Sequence, residues 1–312
     1  MEMHCRPFRE SVVGLVLFGA ILGVVFSGAL ASAGEPTPDA VLAELPFERP
    51  EESHRVYVNL APEGQRPFMM LLDTGASGSV ITPALARSMG VSIRRHKSSP
   101  YRKKTRLGRD LQFHIDDAHS DTGSRTGWEY GLLGGDFMDD YVVELDFAQR
   151  RVRFLDPGQY EVPKATTESG ESIVPFKRSG TRILVPVQIE GETLWVLFDT
   201  GAPGSLLLSG KALSKIGLDG VPLQDAGSVG TASGEMEVKW YRAQSLRLGG
   251  FEIGPRDILV APKGFYNLAG TNDSVLGFEA MEPFLVRIDY KRRRILLKQD
   301  PDYLYPARGA FE

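Results

Sequence analysis

Asp73 and Asp199 each end an apolar run and open the same tetrapeptide, in Leu71-Leu72-Asp73-Thr74-Gly75-Ala76 and Leu197-Phe198-Asp199-Thr200-Gly201-Ala202. Two carboxylates brought close together cannot both ionise comfortably. They share a proton and titrate as a pair. Such a pair can take a proton from water while giving one to an amide, which is general acid–base hydrolysis without a metal or a covalent intermediate. Gly75 and Gly201 let the backbone turn sharply beside each carboxylate. The Thr74 and Thr200 hydroxyls, each donor and acceptor, can bond across a junction and hold the carboxylates coplanar. A third Asp-Thr-Gly begins at Asp121, but His119-Ser120 precede it and Ser124-Arg125 follow it. With no apolar strand before it, it reads as an exposed loop and a chance match.

What must position the two aspartates is a duplication. "RVYVNLAPEGQRPFMMLLDTGASGSVITPALARSMG" lies on "RILVPVQIEGETLWVLFDTGAPGSLLLSGKALSKIG", and "LLGGDFMDDYVVELDFAQRRVRF" lies without a gap on "VLGFEAMEPFLVRIDYKRRRILL". Gly134 pairs with Gly277 and Asp146 with Asp289, the same spacing in both copies (146 − 134 = 289 − 277 = 12). Each copy starts as an alternating strand, turns at Gly64 or Gly191, and enters an apolar strand ending at the aspartate. A helix then stops at Gly90 or Gly217. Internal repetition of this kind specifies two homologous units. The expected fold is mostly β, with the units related by a pseudo-two-fold axis and a cleft between them. The expected divisions are an export segment at 1–33, a linker at 34–52, unit 1 at 53–156, a linker at 157–172, unit 2 at 173–301 and a tail at 302–312. Both linkers are assigned on their Pro- and Glu-rich composition.

Composition narrows the function classes. The 312 residues are 42% hydrophobic, enough for one or two cores. A net charge of −4 argues against a general nucleic-acid binder. The only cysteine is Cys5, which excludes an intrachain disulfide and a thiolate metal cluster, and the five histidines form no H-x-x-x-H pair. No metal and no cofactor is therefore expected. Ser11 to Gly34 carries no charge, follows Arg6 and Arg9, and holds Ala31-Ser32-Ala33 near its end. That pattern predicts export to the periplasm or outside the cell by a signal peptide, or membrane anchoring through residues 11–33 if it is not cut.

The paired Asp-Thr-Gly-Ala motifs, followed by Leu132-Leu133-Gly134 and Val275-Leu276-Gly277, resemble the retropepsin-like aspartic protease family, with both units fused in one chain. The similarity runs from about Ser53 to Pro301. The resemblance implies an endopeptidase whose catalytic residues are Asp73 and Asp199, supported by Thr74, Gly75, Thr200 and Gly201. It implies a peptide or protein substrate held in extended conformation by Ala76, Ala202 and a Gly-rich flap, and a monomer that contains its own pseudo-dimer. "AGSVGTASGEMEVKW" in unit 2 reads as the flap hairpin, with Gly230, Thr231 and Ala232 at its tip. Unit 1 has a basic, Gly-poor segment in that place, from Arg94 to Arg109, which reads as a solvated loop. Unit 2 is thus expected to supply the working flap. Two rival functions are a non-catalytic peptide-binding scaffold of the same fold, and a duplicated actin-like ATPase. Intact aspartates in both units weigh against the first, and short, strand-rich units against the second.

Overall fold

Strand Val142–Asp146 runs antiparallel to strand Phe284–Asp289, with Glu144 directly opposite Arg287. These are corresponding positions of the two repeats, so the pseudo-two-fold axis passes between them. Each strand continues as a hairpin, to Arg151–Leu155 in unit 1 and Arg294–Gln299 in unit 2. A further strand flanks each hairpin: Val41–Glu48 pairs with Arg151–Leu155, and Glu171–Pro175 pairs with Arg294–Gln299. The result is a six-strand layer shared by both units at the head of a 12-stranded sheet. This is a computed structural model, and it describes residues 34–48, 55–60, 68–88, 90, 101–104, 110–115, 131–166, 168–231, 234–262 and 274–303. The architecture is mostly β, and a single apolar core runs through both units.

Behind this layer each unit builds the same motif. Strand Phe68–Leu72 pairs antiparallel with Tyr57–Leu60 and parallel with Gly131–Leu133. Strand Glu192–Phe198 pairs antiparallel with Arg182–Ile189 and parallel with Val275–Leu276. All five residues of Phe68–Leu72 are buried, as a strand covered on both faces requires. A short helix follows the aspartate loop in each unit, Pro83–Ser88 and Gly210–Lys215. The second is capped by the Ser209 hydroxyl, which accepts from the Ala212 N–H at 3.0 Å.

Three expectations need correction. The stretch 34–52 is not a linker, because Val41–Glu48 is the first strand of unit 1. Its burial alternates, with Leu45 and Phe47 inside and the intervening residues outside. The Phe47 N–H donates to the Arg150 carbonyl at 2.9 Å, as the Phe176 N–H does to that of Arg293 at 3.1 Å. Leu45-Pro46-Phe47 and Val174-Pro175-Phe176 are therefore counterparts, and each proline sits where only one side of its strand is paired. The second supposed linker, 157–172, yields its last two residues to Glu171–Pro175, and Val162 within it is fully buried. The basic segment of unit 1 is not all loop, since Tyr101–Lys104 and Asp110–Ile115 form an antiparallel pair. The alternation in Leu111-Gln112-Phe113-His114-Ile115 drives this pairing, which the surrounding charge obscured. Among the described residues no helix is long and apolar enough to cross a membrane. The expected export segment at 1–33 and Asp121 lie outside the described residues.

Glu144 is fully buried on the axis and bonded by two arginines, Arg153 Nε at 2.5 Å and Arg287 Nε at 2.6 Å. Glu35 closes the cluster from outside, at 3.1 Å from Arg153 and 3.0 Å from Arg287. Burial pushes the Glu35 carboxyl up, but the two guanidinium charges outweigh it and hold it below its usual value. Removing Arg287 leaves the fully buried Glu144 short of a partner. Arg287→Ala is expected to cost about 3–5 kcal/mol, read as a lower urea midpoint at unchanged m-value.

Candidate active site

The two Asp-Thr-Gly loops meet at the axis and interlock through their threonines. The Thr74 N–H donates to Thr200 Oγ1 and the Thr200 N–H to Thr74 Oγ1, both at 3.1 Å. Each hydroxyl then donates to the strand that carries the opposite aspartate. Thr74 Oγ1 reaches the Phe198 carbonyl at 2.7 Å, and Thr200 Oγ1 the Leu72 carbonyl at 2.5 Å. All four bonds are buried, where an unmade one would cost far more than at the surface.

The interlock brings the carboxyls together. A Cβ built on Gly75 would collide with the Asp199 carboxyl, and one on Gly201 would lie 2.7 Å from Asp73 Cγ. Only glycine at these positions lets each loop approach the opposite aspartate. The two carboxyls lie close enough to act on each other. Their environments differ. Asp73 Oδ1 accepts from the Gly75 and Ala76 N–H groups at 2.8 and 2.9 Å, whereas Asp199 Oδ1 accepts from Gly201 alone at 2.8 Å. Desolvation raises the Asp199 carboxyl well above the usual carboxylate range, and the Asp73 charge and hydrogen bond add to this. The Gly201 N–H and the Arg55 charge oppose it. Of the two carboxyls, Asp199 is the one whose protonated form its surroundings favour.

Each loop is braced from behind. The Asp73 N–H donates to the Leu133 carbonyl and the Asp199 N–H to the Leu276 carbonyl, both at 3.0 Å. A Cβ on Gly134 would lie 2.5 Å from the Gly78 carbonyl oxygen, and one on Gly277 2.5 Å from that of Gly204. The glycine of each hydrophobic-hydrophobic-Gly segment is thus demanded by contact with the aspartate loop. Ala76 and Ala202 pack into twin apolar clusters beside the carboxyls. One holds Tyr57, Met69, Leu71, Leu132 and Val80, and the other Leu184, Trp195, Leu197, Val275 and Leu207.

Of the expected flap tip, Gly230 and Thr231 end the strand Gln224–Thr231, which forms a hairpin with Gly234–Ala243. Ala232 lies outside the described residues. No described contact joins this tip to the aspartates. In unit 2 that hairpin intervenes before the strand pairing Gly234–Ala243 with Arg256–Val260; in unit 1 only residues 91–100 separate the helix region from the matching pair Tyr101–Lys104 and Asp110–Ile115. Among the described residues no group of three or more His, Cys, Asp or Glu could hold a metal ion. Sequence reasoning missed Arg55, whose charge acts on Asp199.

A family model described as aspartyl protease matches residues 56–107 and 185–280. By sequence and fold the chain is aspartyl-protease-like. Its two matched segments each contain one of the interlocked Asp-Thr-Gly loops. Among solved structures, a retropepsin-like aspartic protease from Rickettsia conorii is 24% identical, over 44% of this chain and 97% of that one, with a TM-score of 0.34. Basic 7S globulin from soybean is 10% identical over 82% of this chain and 94% of that one, with a TM-score of 0.45. No curated protein matches significantly.

The raised Asp199 carboxyl in this aspartyl-protease-like site has a consequence for stability. Folding favours its protonated form, so its contribution is fully present below the unfolded value of about 3.9. It is lost as pH rises through the higher folded value. Asp199→Asn removes that loss. The variant's gain in melting temperature over the native chain should be larger at pH 7 than at pH 4, with each kcal/mol of relief moving the midpoint by about 2–4 °C. Equal gains at both pH values would show that the proton is not held there.

Proposed function

We propose that the chain is an aspartic endopeptidase that hydrolyses peptide bonds with a water activated between Asp73 and Asp199. The supporting observation is the pair of interlocked Asp-Thr-Gly loops, which brings the two carboxyls together with Asp199 raised. Ionised Asp73 takes one proton from water as its oxygen attacks the amide carbonyl carbon. Protonated Asp199 gives its proton to the carbonyl oxygen, which yields a tetrahedral gem-diol. Asp73 then passes its proton to the amide nitrogen and Asp199 recovers one from the gem-diol. The C–N bond breaks, and an acid, an amine and the original dyad remain. The twin clusters around Ala76 and Ala202 offer apolar walls for the side chains beside the scissile bond. The Gln224–Thr231/Gly234–Ala243 hairpin is the working flap, able to grip an extended peptide by strand addition.

We also place the mature chain outside the cytoplasm, beginning at or near Gly34. The Arg287 guanidinium donates to the Gly34 carbonyl at 3.3 Å, and Glu35 joins the buried charge cluster, so both residues belong to the folded unit.

Asp73→Asn and Asp199→Asn should each lower kcat by about 10²–10⁴-fold or more, and the double variant should be little worse, because the two groups act as one. Asp121→Asn should retain the native rate. The assay is hydrolysis of a peptide library at acidic pH by the chain from Gly34 onward. Binding of peptides without cleavage by the native chain would instead support the scaffold reading.

A further inference from the structure

Two arginines occupy the same register position in the two units. Tyr57 pairs with Leu71 and Leu184 pairs with Leu197, which makes Arg55 and Arg182, two residues earlier in each, structural counterparts. By the two-residue period of its strand Arg182 shares a face with Leu184, and Arg55 lies at the bend two residues before Tyr57; Leu184 and Tyr57 belong to the twin apolar clusters beside the carboxyls. Arg55 acts electrostatically on Asp199. Next to Arg182, the Thr181 hydroxyl donates to the Ser77 carbonyl at 2.8 Å, which fixes this turn of unit 2 against the Asp73 loop of unit 1. Thr181 also touches the backbone that follows Gly134, where a Cβ on Gly135 would lie 2.7 Å from its Cβ.

Neither arginine side chain has a hydrogen bond or ion pair among the described residues, and Arg182 Nε is buried with no partner there. Elsewhere in this chain Arg151, Arg153, Arg178, Arg287 and Arg292 bond carboxylates, and Arg256 and Arg294 bond backbone carbonyls. The aspartate loops cannot supply a carboxylate at this point. The fourth residue after each aspartate is Ser77 or Pro203, and neither carries charge. A desolvated guanidinium N–H without an acceptor is costly, and its natural partner is a carboxylate held in bidentate geometry.

We propose that Arg55 and Arg182 are matched cationic subsites, one in each unit, and that they make the site prefer extended peptides with an acidic side chain on each side of the scissile bond. This rests on the hydrolytic reading above. The apolar clusters take the side chains adjoining the bond. An extended peptide presents the same face again two residues further on, so the acidic side chain belongs third from the bond on either side.

The test uses two decapeptides, identical but for Glu or Gln at the third residue on each side of a central Phe-Leu bond. The native chain should cleave the Glu peptide with a kcat/KM higher by about tenfold or more. In Arg55→Gln and Arg182→Gln the Glu-to-Gln ratio should fall, and in the double variant approach one, while Arg55→Lys and Arg182→Lys keep part of it. A ratio unchanged in the double variant would overturn the proposal. So would a shift of the pH profile that is equal for both peptides, since that would make Arg55 a tuner of the dyad alone. Fluorescence anisotropy of both labelled peptides with the Asp73→Asn chain separates the two readings. If the native chain cleaves neither peptide, hydrolysis fails as a function; tighter binding of the Glu peptide, lost on Arg55→Gln/Arg182→Gln, still upholds the subsites, and equal binding overturns them.

Discussion

Everything in this molecule depends on two threonine hydroxyls that each bond to the other half of the chain. Thr74 and Thr200 exchange N–H bonds and then anchor to the Phe198 and Leu72 carbonyls. Such a lattice closes only when both loops adopt the same turn at the same depth. It thereby sets the separation of the carboxyls to within the tolerance of a buried hydrogen bond. The glycines at 75 and 201 then do the rest, since any larger residue would strike the opposite aspartate.

The shared strand layer sets the same axis from the other side. A symmetric pair of identical units would place residue 144 against its own copy, so a charge there would meet a like charge. In one chain the two positions can diverge, and they hold Glu144 and Arg287. This complementarity is available only to a fused pair. It also explains why the N-terminal strand and Glu35 belong to the folded body rather than to a tether. A buried ion cluster of this sort is weak support for net stability but a strong device for register.

Symmetry is broken where function can use the difference. Asp73 receives two backbone N–H bonds and Asp199 one, so the two carboxyls sit in different surroundings. Among the described residues, the long Gln224–Thr231/Gly234–Ala243 hairpin has no counterpart of equal length in unit 1. Duplication supplies the scaffold, and small departures from it assign roles.

Much of this was legible in the residues alone. The duplication, the mostly β fold, the two aspartates, and their threonines and glycines follow from motif and spacing, because each depends on local backbone geometry that a short segment specifies. The counterpart status of Leu45-Pro46-Phe47 and Val174-Pro175-Phe176 was also present in the sequence, but proline and glutamate masked it as a linker. Only the tertiary structure showed that burial and the neighbouring Asp73 favour the protonated form of Asp199, because that depends on what packs around the carboxyl. It alone showed Glu144 facing Arg287, and the Arg55 charge acting on Asp199 of the other unit. Each of these joins residues more than a hundred positions apart, and long-range electrostatics in a folded interior leave no period in the chain to read.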